Sequence, residues 1–163
     1  MLIGRRPKTT LLRILLLLAL CGFTFKFILL PIQVDGISME PTYHDRHVNC
    51  VNLLAYHWHE PQRGDVVTIR FAQPQPLSAP RQMLMKRIIG LPGETVAFHN
   101  GHVYINGELL PEPYLKNECN WEHAPIVCGP NQYYVVGDNR SMPFENHTQG
   151  RAQRDHIVGK VLL

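Results

Sequence analysis

Two short segments hold side chains whose types could do chemistry together. Gly36-Ile37-Ser38-Met39-Glu40-Pro41-Thr42 places a hydroxyl in a tight stretch bounded by Gly and Pro. Alone, that is ordinary turn chemistry, since Gly, Pro and Ser each favour turns. Met83-Leu84-Met85-Lys86-Arg87-Ile88-Ile89-Gly90 is odder, because it sets a Lys in an apolar run. Side chains alternate along a strand, so Leu84, Lys86 and Ile88 share one face while Arg87 points the other way with Met85 and Ile89. A Lys so flanked either keeps its ammonium in water at a sheet edge or is desolvated. Desolvation lowers its pKa and makes a neutral amine available as a base. A Ser hydroxyl within reach of such an amine is a nucleophile with its proton acceptor.

The elements that must position these residues read as mostly β. Short runs rich in β-branched and aromatic residues alternate with Gly, Pro and Asn punctuation. Strands are predicted over Gln33–Ile37, His47–Leu54, Asp65–Phe71, Met83–Ile89, Thr95–His99, His102–Ile105, Gln132–Val136 and Ile157–Leu162. Asn100-Gly101 and Asn106-Gly107 are hairpin turn signals. Past Ile32 no sustained helical period occurs, apart from a short turn expected around Leu53–His59. Residues 73–80, with three prolines, read as an extended loop.

The N-terminus differs in kind. From Ile14 to Ile32 the chain is almost wholly apolar, interrupted by Lys26. Nineteen residues at helical rise span about 28 Å, close to the hydrocarbon core of a bilayer. Arg5, Arg6, Lys8 and Arg13 precede this run, which favours a cytoplasmic N-terminus. Three parts follow: a basic cytoplasmic segment 1–13, a transmembrane anchor 14–32 and an extracytoplasmic β-rich domain 33–163. A cleavable signal peptide would share the basic and apolar regions, but no small-x-small site follows the run.

Of 163 residues with a formal net charge of +3, five basic residues precede the first acidic one, Asp35. From Gly36 onward 11 Lys and Arg stand against 12 Asp and Glu. The folded part therefore lacks the overall basic excess that nucleic-acid binding favours. Cys119 and Cys128 close a short loop in the exported part and could form a disulfide there. Cys50 fits a buried thiol, and Cys21 falls in the membrane run.

Four motifs occur in a telling order: Ser38-Met39-x-Pro41-Thr42; Arg63-Gly64-Asp65-Val66-Val67; Lys86-Arg87-Ile88-Ile89-Gly90-Leu91-Pro92-Gly93-Glu94; and Gly137-Asp138-Asn139-Arg140. With Asn106-Gly107 and Pro111-Glu112-Pro113-Tyr114, and behind an apolar anchor, the chain resembles the type I signal peptidases from anchor to C-terminus. The resemblance implies an antiparallel β-sheet protease domain behind one transmembrane helix, needing no cofactor or metal. It implies Ser38 as nucleophile and Lys86 as general base, in a Ser-Lys variant of triad logic. Gly36, Ile37, Met39 and Met85 would border the oxyanion and substrate path; Asp138, Asn139, Arg140, Glu145 and His147 would support the site. The implied partners are exported preproteins with small residues at the first and third positions before the cut, and a lipid bilayer, the plasma (inner) membrane. Nucleic acid is not among them.

Some departures bear on the site. Many members follow Gly-Asp-Asn-Arg with a Ser, an Asp and an Arg, where this chain has Pro143, Glu145 and His147. Pro143 cannot hydrogen-bond the lysine as that Ser does, and a Glu145–His147 pair would be sensitive to pH. Where some members have a hydroxyl two places before the nucleophile, this chain has Gly36, as do others. The length leaves no room for a large accessory β-domain.

Competing readings are an anchored, catalytically silent scaffold and an exported His-rich metal-binding module. The nine histidines include His44-x-x-His47-x-x-Cys50, His57-x-His59 and His99-x-x-His102, spacings that do not repeat one site. Gly-x-Ser-x-Gly is absent because Glu40 stands at the final position. Ser-x-x-Lys is absent too, since Ser38, Ser78 and Ser141 are followed at that offset by Pro41, Arg81 and Phe144. A self-cleaving repressor with a Ser-Lys dyad would need a DNA-binding segment where this chain has a membrane span.

Overall fold

The computed structural model describes residues 7–70, 83–116, 119–146 and 149–162. Helix α1, Pro7–Phe27, is followed by eleven strands. These are β1 (Leu29–Gln33), β2 (Val48–Asn52), β3 (Val66–Arg70), β4 (Met83–Gly90), β5 (Thr95–His99), β6 (His102–Ile105), β7 (Glu108–Leu109), β8 (His123–Val127), β9 (Gln132–Val136), β10 (Gly150–Gln153) and β11 (Ile157–Leu162).

None of the 21 residues of α1 is buried, and the helix is long and apolar enough to cross a membrane. The helix takes in residues 7–13, which the sequence placed in a basic tail, and it stops before Ile32. Continued through Pro31, the helix would lose a backbone bond and set the proline ring against the preceding turn. The chain instead turns into β1, which pairs antiparallel with β2, Leu30 opposite Val51. Pro31 is tolerated because β1 is the sheet's edge strand. Val34 and Asp35 lie beyond β1, so the predicted strand Gln33–Ile37 is shifted toward the N-terminus. The helical turn expected at Leu53–His59 is a run of turns and bends.

Seven strands form one sheet in the order β1-β2-β11-β3-β4-β9-β10, with every pairing antiparallel. The other four form a smaller sheet, β7-β6-β5-β8. Asn100 and Gly101 take φ of 48° and 73° at the β5–β6 turn, and Asn106 and Gly107 take 52° and 88° before β7. Positive φ at both central residues is what a two-residue hairpin of right-handed twist requires, so both predicted hairpins form.

The strands β7, β8 and β10 lacked a sequence signal. β7 has two residues, β8 contains Pro125, and β10 reads Gly-Arg-Ala-Gln without alternation. All three sit at sheet edges, where one-sided pairing tolerates such residues.

β4 lies inside the large sheet and contributes to three apolar clusters. Met85 packs with Met39, Tyr43 and Val66, Ile88 with Val67, Ile69 and Val135, and Ile89 with Phe98, Trp121 and Tyr134. The alternation read from the sequence therefore holds, with opposite faces of β4 serving different cores.

Cys119 and Cys128 carry free thiols, which corrects the expected disulfide. Cys119 O lies against Gly101, whereas Cys128 N donates to Glu94 O at 2.8 Å. Extended β5 runs between these points, roughly 16 Å of chain. A disulfide needs Cα atoms about 4.4–6.8 Å apart. Each thiol borders the core of the smaller sheet, and burial pushes both pKa values up.

Candidate active site

The segment after Val34 is folded into a turn by its own polar groups. Gly36 N donates to Asp45 Oδ1 at 2.7 Å, Asp45 N to Glu40 Oε1 at 3.2 Å, and Glu40 N to Ile37 O at 3.1 Å. Gly36 has φ of 101°, a conformation that favours glycine. Met39 is 1% exposed and packs with Met85 of β4, fixing the loop on the large sheet. Ser38 is left half-buried, and Ile37 is exposed.

Lys86 reaches this loop from the middle of β4. Its Nζ lies 2.6 Å from Ser38 Oγ. The residue is 2% exposed, and its ammonium has no carboxylate partner among the described residues. Burial brings the Lys86 pKa down from 10.5 to about 8, with the Asp138 carboxylate working in the opposite direction. A buried amine of that pKa beside a hydroxyl can accept the hydroxyl proton near neutral pH.

Gly137-Asp138-Asn139-Arg140 holds the loop from the far side. Asn139 N donates to Ser38 O and Asn139 Nδ2 to Ile37 O, each at 3.0 Å. Ser141 Oγ in turn donates to Asn139 Oδ1 at 2.6 Å. Asp138 receives Arg87 Nε at 2.8 Å, Arg87 Nη2 at 2.6 Å and Thr42 Oγ1 at 2.6 Å. Arg140 is fully buried, ion-paired with Glu112 and set over the rings of Phe98 and Trp121. The motif thus ties the Ser38 loop to β4 through Asp138 and to the smaller sheet through Arg140.

Arg87, Glu112, Tyr114 and Thr42 hold this frame although the sequence reading gave them no role. The Tyr114 ring lies 4.0 Å from the Arg87 guanidinium, and its hydroxyl donates to Glu112 Oε1 at 2.6 Å. Glu112-Pro113-Tyr114 was visible as a motif, but its partners are distant in sequence. Burial, reinforced by Glu112, pushes the Tyr114 pKa up.

The segment after Arg140 turns toward the smaller sheet. Met142 O accepts Trp121 Nε1 at 2.8 Å, and Phe144 packs edge-on against Trp121. Pro143 and Glu145 are exposed, and Glu145 makes no hydrogen bond or ion pair among the described residues. His147, named with Glu145 as a support, lies outside the described residues. Among those residues no group of three or more His, Cys, Asp or Glu is placed to hold a metal.

The family described as "Signal peptidase, peptidase S26" matches residues 8–163. A probable signal peptidase I-2 from Synechocystis is 31% identical over 130 residues, covering 80% of this chain and 60% of that protein. Signal peptidase I S from Bacillus subtilis is 38% identical over 125 residues, covering 70% and 64% respectively. The chain thus spans under two thirds of the length of these relatives. A signal peptidase I crystal structure from Enterococcus faecalis is matched at 26% identity over 63% of this chain and 97% of that one, with a TM-score of 0.46. With a family match running from within α1 to the last residue, the chain belongs to the signal peptidase family, peptidase S26.

Proposed function

We propose that the protein is a membrane-anchored serine endopeptidase that removes signal peptides from exported preproteins after small-x-small sites. The observation that carries this reading is the 2.6 Å approach of Lys86 Nζ to Ser38 Oγ, with the lysine buried. In its neutral form Lys86 takes the Ser38 proton as Oγ attacks the scissile carbonyl. The Ser38 N–H, which makes no backbone hydrogen bond among the described residues, would donate to the developing oxyanion. Protonated Lys86 then gives its proton to the leaving amine and later activates the water that releases the acyl chain.

A strand edge beside the dyad, unpaired among the described residues, supports a peptide substrate. Residues Met83–Lys86 pair with β3 on one side, whereas pairing of β4 with β9 begins only at Arg87. An extended peptide can dock on that open edge, its backbone held in register and alternate side chains directed at the protein. Ile37, Met39 and Met85 border this path, with Gly36 at its turn.

The basic residues before the apolar run favour a cytoplasmic N-terminus, with the β domain across the plasma membrane. β1 begins two residues after α1 ends, so the domain sits against the bilayer where preproteins emerge. Detergent-solubilised protein incubated with an Ala-x-Ala preprotein tests the reading. Cleavage after the second Ala, lost in Ser38→Ala, is expected; an uncut preprotein would favour a silent scaffold.

A further inference from the structure

The cleft on the Lys86 face of the large sheet carries a charge pattern that the dyad does not use. It encloses about 170 Å³ over an apolar floor that includes Leu84 and Ala152. Arg70 at the end of β3, Arg151 in β10 and His156 before β11 line it beside Lys86, and among the described residues no Asp or Glu does. Elsewhere the half-buried and buried arginines are matched: Arg63 with Glu94, Arg87 with Asp138, Arg140 with Glu112 and Arg154 with Glu60. Arg70 and Arg151 form no ion pair among the described residues; Arg151 makes only a long contact, 3.5 Å, to Val127 O. Residues 71–82, which follow Arg70, contain Arg81 and no acidic residue. Asp155, next to His156, is exposed and does not line the cleft.

A cleft of one charge sign with apolar walls concentrates its field on whatever enters it. The occupant here must approach the general base, which makes it the peptide being cut. Leu84 and Lys86 are two residues apart on one face, so the cleft reaches roughly 7–10 Å along an extended peptide, two or three residues. We propose that this cleft selects preproteins bearing an Asp or Glu within three residues of the cut. The proposal rests on the endopeptidase reading and deepens it by naming a substrate preference. Arg70 and Arg151 are exposed, so the preference is graded, about threefold to tenfold, and weakens with salt.

The test is a preprotein series carrying Glu, Gln or Lys at the second position before the cut and at each of the first three after it. The full chain in neutral detergent is used, and kcat/KM is read at low and high salt. At one or more positions Glu should exceed Lys by about threefold to tenfold, with Gln between them and the gap shrinking in salt. In Arg70→Gln/Arg151→Gln the Glu-to-Lys ratio should approach one, and in Arg151→Glu it should fall below the wild-type ratio. The ratio is read within each protein, so a change in overall rate leaves it interpretable. A ratio of one or less at every position in the wild type, or a gap unchanged in the variants, would overturn the proposal. If no preprotein is cut, the endopeptidase reading falls separately. Labelled peptides of the same series are then titrated onto Ser38→Ala by fluorescence anisotropy. Tighter binding of the Glu peptide than the Lys peptide sustains the cleft, and equal binding overturns it.

Discussion

On one face of β4 Lys86 is buried against a hydroxyl with no carboxylate partner; on the other, its neighbour Arg87 grips Asp138 with two nitrogens and lies over the Tyr114 ring. Both cations leave water, but only one is compensated. Burial takes the Lys86 pKa down to about 8, giving an amine that can be neutral, while Arg87 keeps its charge as a structural brace. Within this strand, an opposite charge separates the two cations more sharply than burial does. The same contrast ties the two sheets together, since Tyr114 meets Glu112, and Glu112 holds buried Arg140.

The comparison breaks most severely at the dyad. Ser38→Ala and Lys86→Ala should each lower kcat/KM by at least about 10³-fold, with the double variant little worse, because the two groups act as a unit. Lys86→Arg should fail equally, since guanidinium does not give up its proton. Cleavage of an Ala-x-Ala preprotein, with circular dichroism as the folding control, checks all of these. Substantial turnover by either alanine variant would remove the dyad.

Stability should move in opposite directions at the two neighbours. Arg87→Met leaves the Asp138 carboxylate buried without its guanidinium and should cost about 3–5 kcal/mol. Lys86→Met removes an amine whose burial is unfavourable to its charge, and should stabilise the protein at pH 7. The folded pKa of about 8 lies below the reference 10.5, so between these values the unfolded chain binds more protons and stability rises with pH. The stabilisation from Lys86→Met should therefore fade between pH 8 and 10.5, from an upper bound of about 3 kcal/mol. Urea unfolding of the β domain in detergent at three pH values measures both, and equal losses from the two substitutions would refute the contrast.

The pH profile sharpens it further. The acidic limb of kcat/KM should have its midpoint near pH 8, because in the proposed mechanism only neutral Lys86 accepts the Ser38 proton. A limb near pH 6 would assign the base to a histidine instead. The smallest effect belongs to Thr42→Val, which removes one of three hydrogen bonds reaching Asp138 and should cost about 1 kcal/mol with the limb unmoved.

Much of this frame could be read before folding. The alternation around Lys86, the two Asn-Gly hairpins, the apolar N-terminal helix and the order of motifs are all local features. The misreadings also have local causes. The apolar run continues past the end of α1 because Leu29, Leu30 and Ile32 are apolar in a strand as well as in a helix. The disulfide was expected because Cys119 and Cys128 are near in sequence, while β5 holds them apart in space. Edge strands β8 and β10 hid because one-sided pairing asks little of composition.

Local chain order sets which side chains alternate, where the chain must turn, and that a hydroxyl, an amine and a Gly-Asp-Asn-Arg segment are present. It takes the assembled fold to bring Ser38 and Lys86, 48 residues apart, to 2.6 Å, to turn the Asp138 carboxylate to Arg87, and to seat Arg140 on Glu112. The two sets of forces differ in range. Backbone preference and periodicity act over a few residues, whereas desolvation and charge pairing depend on neighbours that distant segments bring together when the strands assemble.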